Sequence, residues 1–118
     1  MSQITHVSAE TFEAEVRKSD VPVLVDFYAD WCAPCRMMGP ILEKVATQMA
    51  GRAKIVKVNV DEEPELASMF KVSSIPALAV LYRGELINAR VGVTPADQLV
   101  QILENAGRAA APATTARR

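Results

Sequence analysis

The chain has 118 residues, half of them apolar and 23% charged, with 13 Lys and Arg against 14 Asp and Glu for a net charge of −1. That length holds one domain around one hydrophobic core. The near-neutral balance argues against nucleic acid as the main partner, which needs a concentrated basic face, and supplies no polybasic membrane anchor.

The start, Met1-Ser2-Gln3-Ile4-Thr5-His6, shows no charged segment leading into an apolar one, so no secretory signal is read there. A short strand is expected over Gln3 to His6. A helix start follows, with Ser8 as cap, Val7 stapled onto Phe12, and Phe12 and Val16 sharing a face up to Asp20. Val21 to Ala29 is a near-continuous apolar run, as in a strand buried on both sides of a sheet. Met38, Ile41, Leu42, Val45 and Met49 then recur at helical spacing, with Pro40 inside the helix as a kink point. Lys54 to Val60 reads as a strand and Pro64 to Phe70 as a short helix. Ala77 to Tyr82 and Leu86 to Val91 form a hairpin through Arg83-Gly84-Glu85. Thr94-Pro95 opens the last helix, Leu99, Ile102, Leu103 and Ala106 form its apolar face, and Gly107 closes it. Residues 108–118 carry no large apolar side chain and are expected as a disordered tail, leaving residues 1–107 as the domain. Early alternation with a late hairpin predicts an α/β fold with a mixed sheet and helices on both faces. The longest apolar runs are strand-sized, too short to cross a bilayer.

Chemistry concentrates in Trp31-Cys32-Ala33-Pro34-Cys35. A bridge between cysteines three positions apart closes too short a loop to staple a fold, and the expected compartment, the cytoplasm, rarely holds structural disulfides. The pair falls where a strand ends and a helix begins. Free N–H groups and the positive end of the helix dipole there favour a thiolate. Cys32 is therefore the expected nucleophile and the more exposed sulfur, and Cys35 the sheltered resolving thiol. Zinc is disfavoured: two cysteines and the one histidine, His6, fall short of the usual four ligands. Asp26 interrupts the apolar strand, where burial should raise its pKa and suit it to proton transfer with Cys35. The competing reading is a carboxylate satisfied by backbone donors or by Lys57, which stands in the other apolar strand. Trp31 fits either the core or the surface beside the sulfur. Ile75-Pro76 fits a strand start as well as a cis bond.

Together these residues resemble the thioredoxin family. Val25-Asp26-Phe27-Tyr28-Ala29-Asp30-Trp31-Cys32-Ala33-Pro34-Cys35-Arg36, then Pro40, Asp61, Ile75-Pro76, Gly84 and Gly92, carry the likeness, which runs from about Val7 to Gly107. The resemblance implies a thioredoxin fold, with a central five-stranded mixed sheet flanked by four helices. It implies a redox-active disulfide between Cys32 and Cys35, assistance from Asp26 and a cis Ile75-Pro76 bond. It also implies a client groove along Trp31, Ala33, Pro34, Ile75, Pro76, Gly92 and Val93. By the same route the chain is a monomeric protein-disulfide reductase with no bound cofactor, recharged from NADPH by thioredoxin reductase. Its clients would include peroxiredoxin, methionine sulfoxide reductase or ribonucleotide reductase. A reductant dedicated to one client, and a thioredoxin-fold binding module in a larger assembly, are the competing functions. Ala33 stands where Gly is usual and Tyr28 where Trp is frequent. Ser73-Ser74 and Ala77 stand where Gly and Thr are common.

Overall fold

The computed structural model describes residues 4–116, with side-chain burial described as far as Arg108. Five strands, β1 (Ile4–His6), β2 (Val23–Tyr28), β3 (Lys54–Asn59), β4 (Ala77–Tyr82) and β5 (Glu85–Val91), form one sheet in the order β1-β3-β2-β4-β5. β1, β3 and β2 run parallel, β4 pairs antiparallel with β2 and β5 antiparallel with β4. Parallel pairing thus gives way to antiparallel pairing at β2, and β4 alone runs against the other strands. The expected strand over Gln3 to His6 is present from Ile4; Gln3 lies outside the described residues.

Period-two alternation splits the apolar core into one layer on each side of this sheet. Val23, Val25 and Phe27 face Val16 of the first helical segment, the π-helical turn Glu13–Arg17, its N-cap residue Phe12, and Leu66 of α2 (Pro64–Met69). Leu24 and Ile55 face the other way, toward Met38, Leu42 and Val45 of α1 (Ala33–Gln48) and Leu99 and Leu103 of α3 (Ala96–Ala116). Four helical segments thus flank a mixed sheet, as expected. The first of them starts later than expected: its N-cap is Phe12, with no side-chain cap, while Ser8 Oγ accepts the Thr11 amide at 3.4 Å in the turn before it. Val7, Phe12 and Val16 are buried together.

Three more local expectations are corrected. α3 does not stop at Gly107 but continues through Arg108, the expected start of the tail, to Ala116. A helical glycine costs only about 1 kcal/mol, and the alanines beyond it are the strongest helix formers. Thr94, expected to cap α3, instead donates its hydroxyl to the Gly92 carbonyl at 3.2 Å. The β4–β5 connection needs only Arg83 and Gly84, both at positive φ (53° and 85°), the backbone of a two-residue hairpin turn.

Candidate active site

The candidate site is built where β2 ends, at the point in the sheet where strand direction changes. Ala29 accepts the Cys32 amide in a tight turn (3.2 Å), and the Arg36 guanidinium donates to the Asp30 carbonyl at 2.8 Å. This turn delivers Cys32 to the N-cap of α1, with extended backbone. Pro34 follows in the first helical turn, where no N–H is needed. Cys32 and Cys35 are joined by a disulfide, their Cα atoms 5.2 Å apart. The Cys35 amide donates to Cys32 Sγ at 3.2 Å, so sulfur occupies the place of an N-cap oxygen. No acidic residue stands in the first turn, which leaves the positive helix end uncompensated.

Cys32 was expected to be the more exposed sulfur. In the bridged form both cysteines show only 4% of their surface. The bridge draws Cys32 Sγ under the Cys35 amide and to 3.8 Å from the Ile75 carbonyl oxygen. Their surroundings still differ. Cys35, and not Cys32, lines a pocket of about 210 Å³ with Tyr28, Ala29, Asp30, Arg36 and Lys57.

Asp26 is fully buried on the α1 side of the sheet, and neither carboxyl oxygen has a hydrogen-bond partner. Burial pushes its carboxyl up to about 6, against a smaller downward pull from the Lys57 ammonium. Backbone donors therefore do not satisfy it. Lys57 is its in-register neighbour on β3, yet its ammonium stands over the Tyr28 ring, 4.4 Å from the centroid.

Trp31 is 68% exposed, which settles core against surface. Its indole N–H donates to Asp61 Oδ2 at 2.9 Å. Asp61 is itself fixed because the Asn59 side chain accepts the amides of Asp61 (2.9 Å) and Glu62 (3.2 Å). Asn59 had no assigned role, although Asn after an apolar strand is a turn signal. Ile75-Pro76 is cis, as the resemblance implied. The Pro76 carbonyl accepts the Gly92 amide at 2.8 Å, with Gly92 at φ +95°. Cys32, Ile75, Pro76 and Gly92 are thereby linked contact by contact. Val93 is 41% exposed and opens onto a separate apolar depression with Pro40, Ile41, Lys44, Pro95 and Ala96.

Among the described residues no three His, Cys, Asp or Glu side chains gather as a metal set would. No helix among them is long and apolar enough to cross a membrane.

Comparison with known proteins gives the same picture. The thioredoxin family model matches residues 3–105. Thioredoxin 1 of Nostoc sp. is 47% identical over 104 residues, covering 88% of this chain and 97% of the relative. The thioredoxin of Haemophilus influenzae is 41% identical over 103 residues, covering 87% and 96%. The crystal structure of chloroplastic thioredoxin z superposes with a TM-score of 0.80 at 31% identity, covering 89% of this chain and 95% of that one. With a bridged Cys32–Cys35 pair at the head of a helix, beside a cis proline, on a sheet of this order, the chain belongs to the thioredoxin family of thiol–disulfide oxidoreductases.

Proposed function

We propose that this chain is a general reductant of client-protein disulfides in the cytoplasm, recharged from NADPH by a thioredoxin reductase, with residues 1–107 as the working unit and a monomer as the working state. The observation that carries this reading is the Cys32–Cys35 bridge at the start of α1, with the Cys35 amide aimed at Cys32 Sγ. That donor and the helix dipole favour a Cys32 thiolate once the bridge is reduced.

The cycle begins when the reductase supplies two electrons and the bridge opens to two thiols. Cys32 thiolate attacks one sulfur of the client disulfide, forming a mixed disulfide and expelling the other client sulfur as a thiolate. Asp26, buried and with its carboxyl pushed up to about 6, takes the Cys35 proton directly or through one water. Cys35 thiolate then attacks Cys32 Sγ, the mixed disulfide breaks, and the second client thiolate leaves. Client thiolates take up protons, and Cys32–Cys35 is bridged again. In this reading Trp31, Ala33, Pro34, Ile75, Pro76, Gly92 and Val93 form the surface on which the client lies. Lys57 acts on Asp26 through its field. Peroxiredoxin, methionine sulfoxide reductase and ribonucleotide reductase are clients of the chemistry expected.

The test is reduction of insulin by the full chain with NADPH and thioredoxin reductase. Cys32→Ser should abolish turnover, and Cys35→Ser should accumulate a mixed disulfide with the client. Activity surviving Cys32→Ser would leave the thiols without a role and favour a binding module. Failure on insulin together with turnover of a single peroxiredoxin would favour a dedicated reductant.

A further inference from the structure

The side of β2 and β3 that faces α1 carries, beside Asp26 and Lys57, an aromatic side chain that the cycle above leaves unused, Tyr28. Asp26 and Tyr28 alternate onto one face of β2, and Lys57 sits beside Asp26 on β3. A lysine so placed has a carboxylate within its reach. It turns elsewhere: the ion pairs among the described residues do not include Asp26, and both its oxygens lack donors. The ammonium rests over the Tyr28 ring at 4.4 Å. The Tyr28 hydroxyl in turn meets His6 Nδ1 at 3.3 Å, the two rings edge to face with centroids 6.0 Å apart. Tyr28 and Lys57 together line the pocket of about 210 Å³ that reaches Cys35.

We propose that Tyr28 is a positioning residue for the resolving step: its ring holds the Lys57 ammonium on the wall of the Cys35 pocket and so keeps Asp26 without an ion-pair partner. The ring quadrupole attracts the ammonium while leaving its outer protons to solvent. A direct Lys57–Asp26 pair would instead lock the carboxylate in its charged form. Held off by the ring, Lys57 reaches Asp26 only as a field, and the carboxyl keeps a proton affinity suited to exchange with Cys35. The other titratable and charged groups around this face are few. Asp30 comes from the β2–α1 turn, Cys35 and Arg36 from α1, Glu62 from the β3–α2 turn, and His6 from β1. β4 opposes Asp26 with the apolar Leu78.

This rests on the reading of Asp26 as proton handler, and the experiment separates the two. The Asp26 carboxyl is titrated by carbon NMR in the full oxidised chain, and the pH profile of client reduction is measured in parallel. In Tyr28→Leu the Asp26 midpoint should fall by a pH unit or more, a tenfold loss of proton affinity, and the rate profile should move with it. Tyr28→Phe and Tyr28→Trp, which keep a ring, should titrate like the parent. In a Lys57→Met background Tyr28→Leu should shift nothing. An unmoved midpoint in Tyr28→Leu overturns the proposal, as does a shift that persists without Lys57, since that would report altered burial alone. Tyr28→Met serves where Tyr28→Leu does not fold. A moved midpoint with an unmoved rate profile overturns Asp26 as proton handler while the capture of Lys57 stands.

Discussion

At the scale of single residues, Asp26 sets a cost against a use. Its native carboxyl holds a proton up to about pH 6, whereas the unfolded chain releases it near the ordinary value of about 3.9. Between these values unfolding releases a proton, so the stability contributed by protonated Asp26 is full below about pH 4 and is lost as pH rises through about 6. At 1.36 kcal/mol per unit, a shift of about two units corresponds to about 2–3 kcal/mol at pH 8, offset in part by the small cavity that truncation leaves. Asp26→Ala should therefore stabilise the fold by roughly 2 kcal/mol at pH 8, with the gain shrinking steadily below pH 6. Urea unfolding of both proteins from pH 4 to pH 8 measures the difference, and a gain independent of pH would refute the assignment. Asp26 was legible in the sequence because a carboxylate in an apolar run has few readings. What Lys57 does was not, because strand register fixes where its Cα lies and not which of two neighbours its long side chain chooses. Asn59 and Asp61 were missed as supports of Trp31 for a similar reason: an Asx turn can be read locally, but the indole it serves is 30 residues away in sequence.

Among the elements, α1 carries most of the chemistry, because its N-terminus is free of compensating charge. Its first turn holds Ala33, Pro34 and Cys35 with no carboxylate. A negative side chain there would compete with the Cys32 thiolate for the same amides and dipole. Such interactions are worth about 0.3–1 kcal/mol, or roughly half a pKa unit. Ala33→Glu should raise the Cys32 thiol pKa by about that much and slow its alkylation at pH 6 and 7. The rate of iodoacetamide reaction against pH checks it, with Ala33→Gln as the neutral control expected to behave like the parent. Strand existence was plain from the apolar runs of β2, β3 and β4, each buried from both sides. β5 was also found, though it is an edge strand, exposed over nearly its whole length. Its register irregularity opposite Val80 and Leu81 left no mark in the sequence pattern. Gly107 misled because glycine ends helices at positive φ, whereas here Ala106 before it and Arg108 to Ala111 after it, all good helix formers, carry the helix through.

For the whole molecule, the sheet separates support from chemistry. Its two apolar layers hold the strands from both sides, while the bridged pair, the cis proline and the Trp31–Asp61 contact gather at one end, where parallel strands give way to antiparallel ones. α3 contributes Leu99, Leu103 and Ala106 to the layer beneath α1, and Gly107 approaches Pro22, with a Cβ at that position 3.6 Å from the proline ring. Among the α3 residues whose side chains are described, those that pack on the domain lie at or before residue 107. The eleven residues that follow, Arg-Ala-Ala-Ala-Pro-Ala-Thr-Thr-Ala-Arg-Arg, hold no apolar side chain larger than proline, so they bring little area to bury at about 25 cal/mol per Å². Continuing a helix adds backbone hydrogen bonds but, without a packed face, little net stability. A chain ending at Gly107 should therefore reduce insulin at the parent rate and melt within about 4 °C of it, the shift that 1 kcal/mol produces in a domain of this size. Thermal unfolding with turnover in the coupled NADPH assay decides the matter. A fall in melting temperature beyond that would show that the helical extension packs on the domain. A lost rate at unchanged melting temperature would show that residues 108–118 act on a partner.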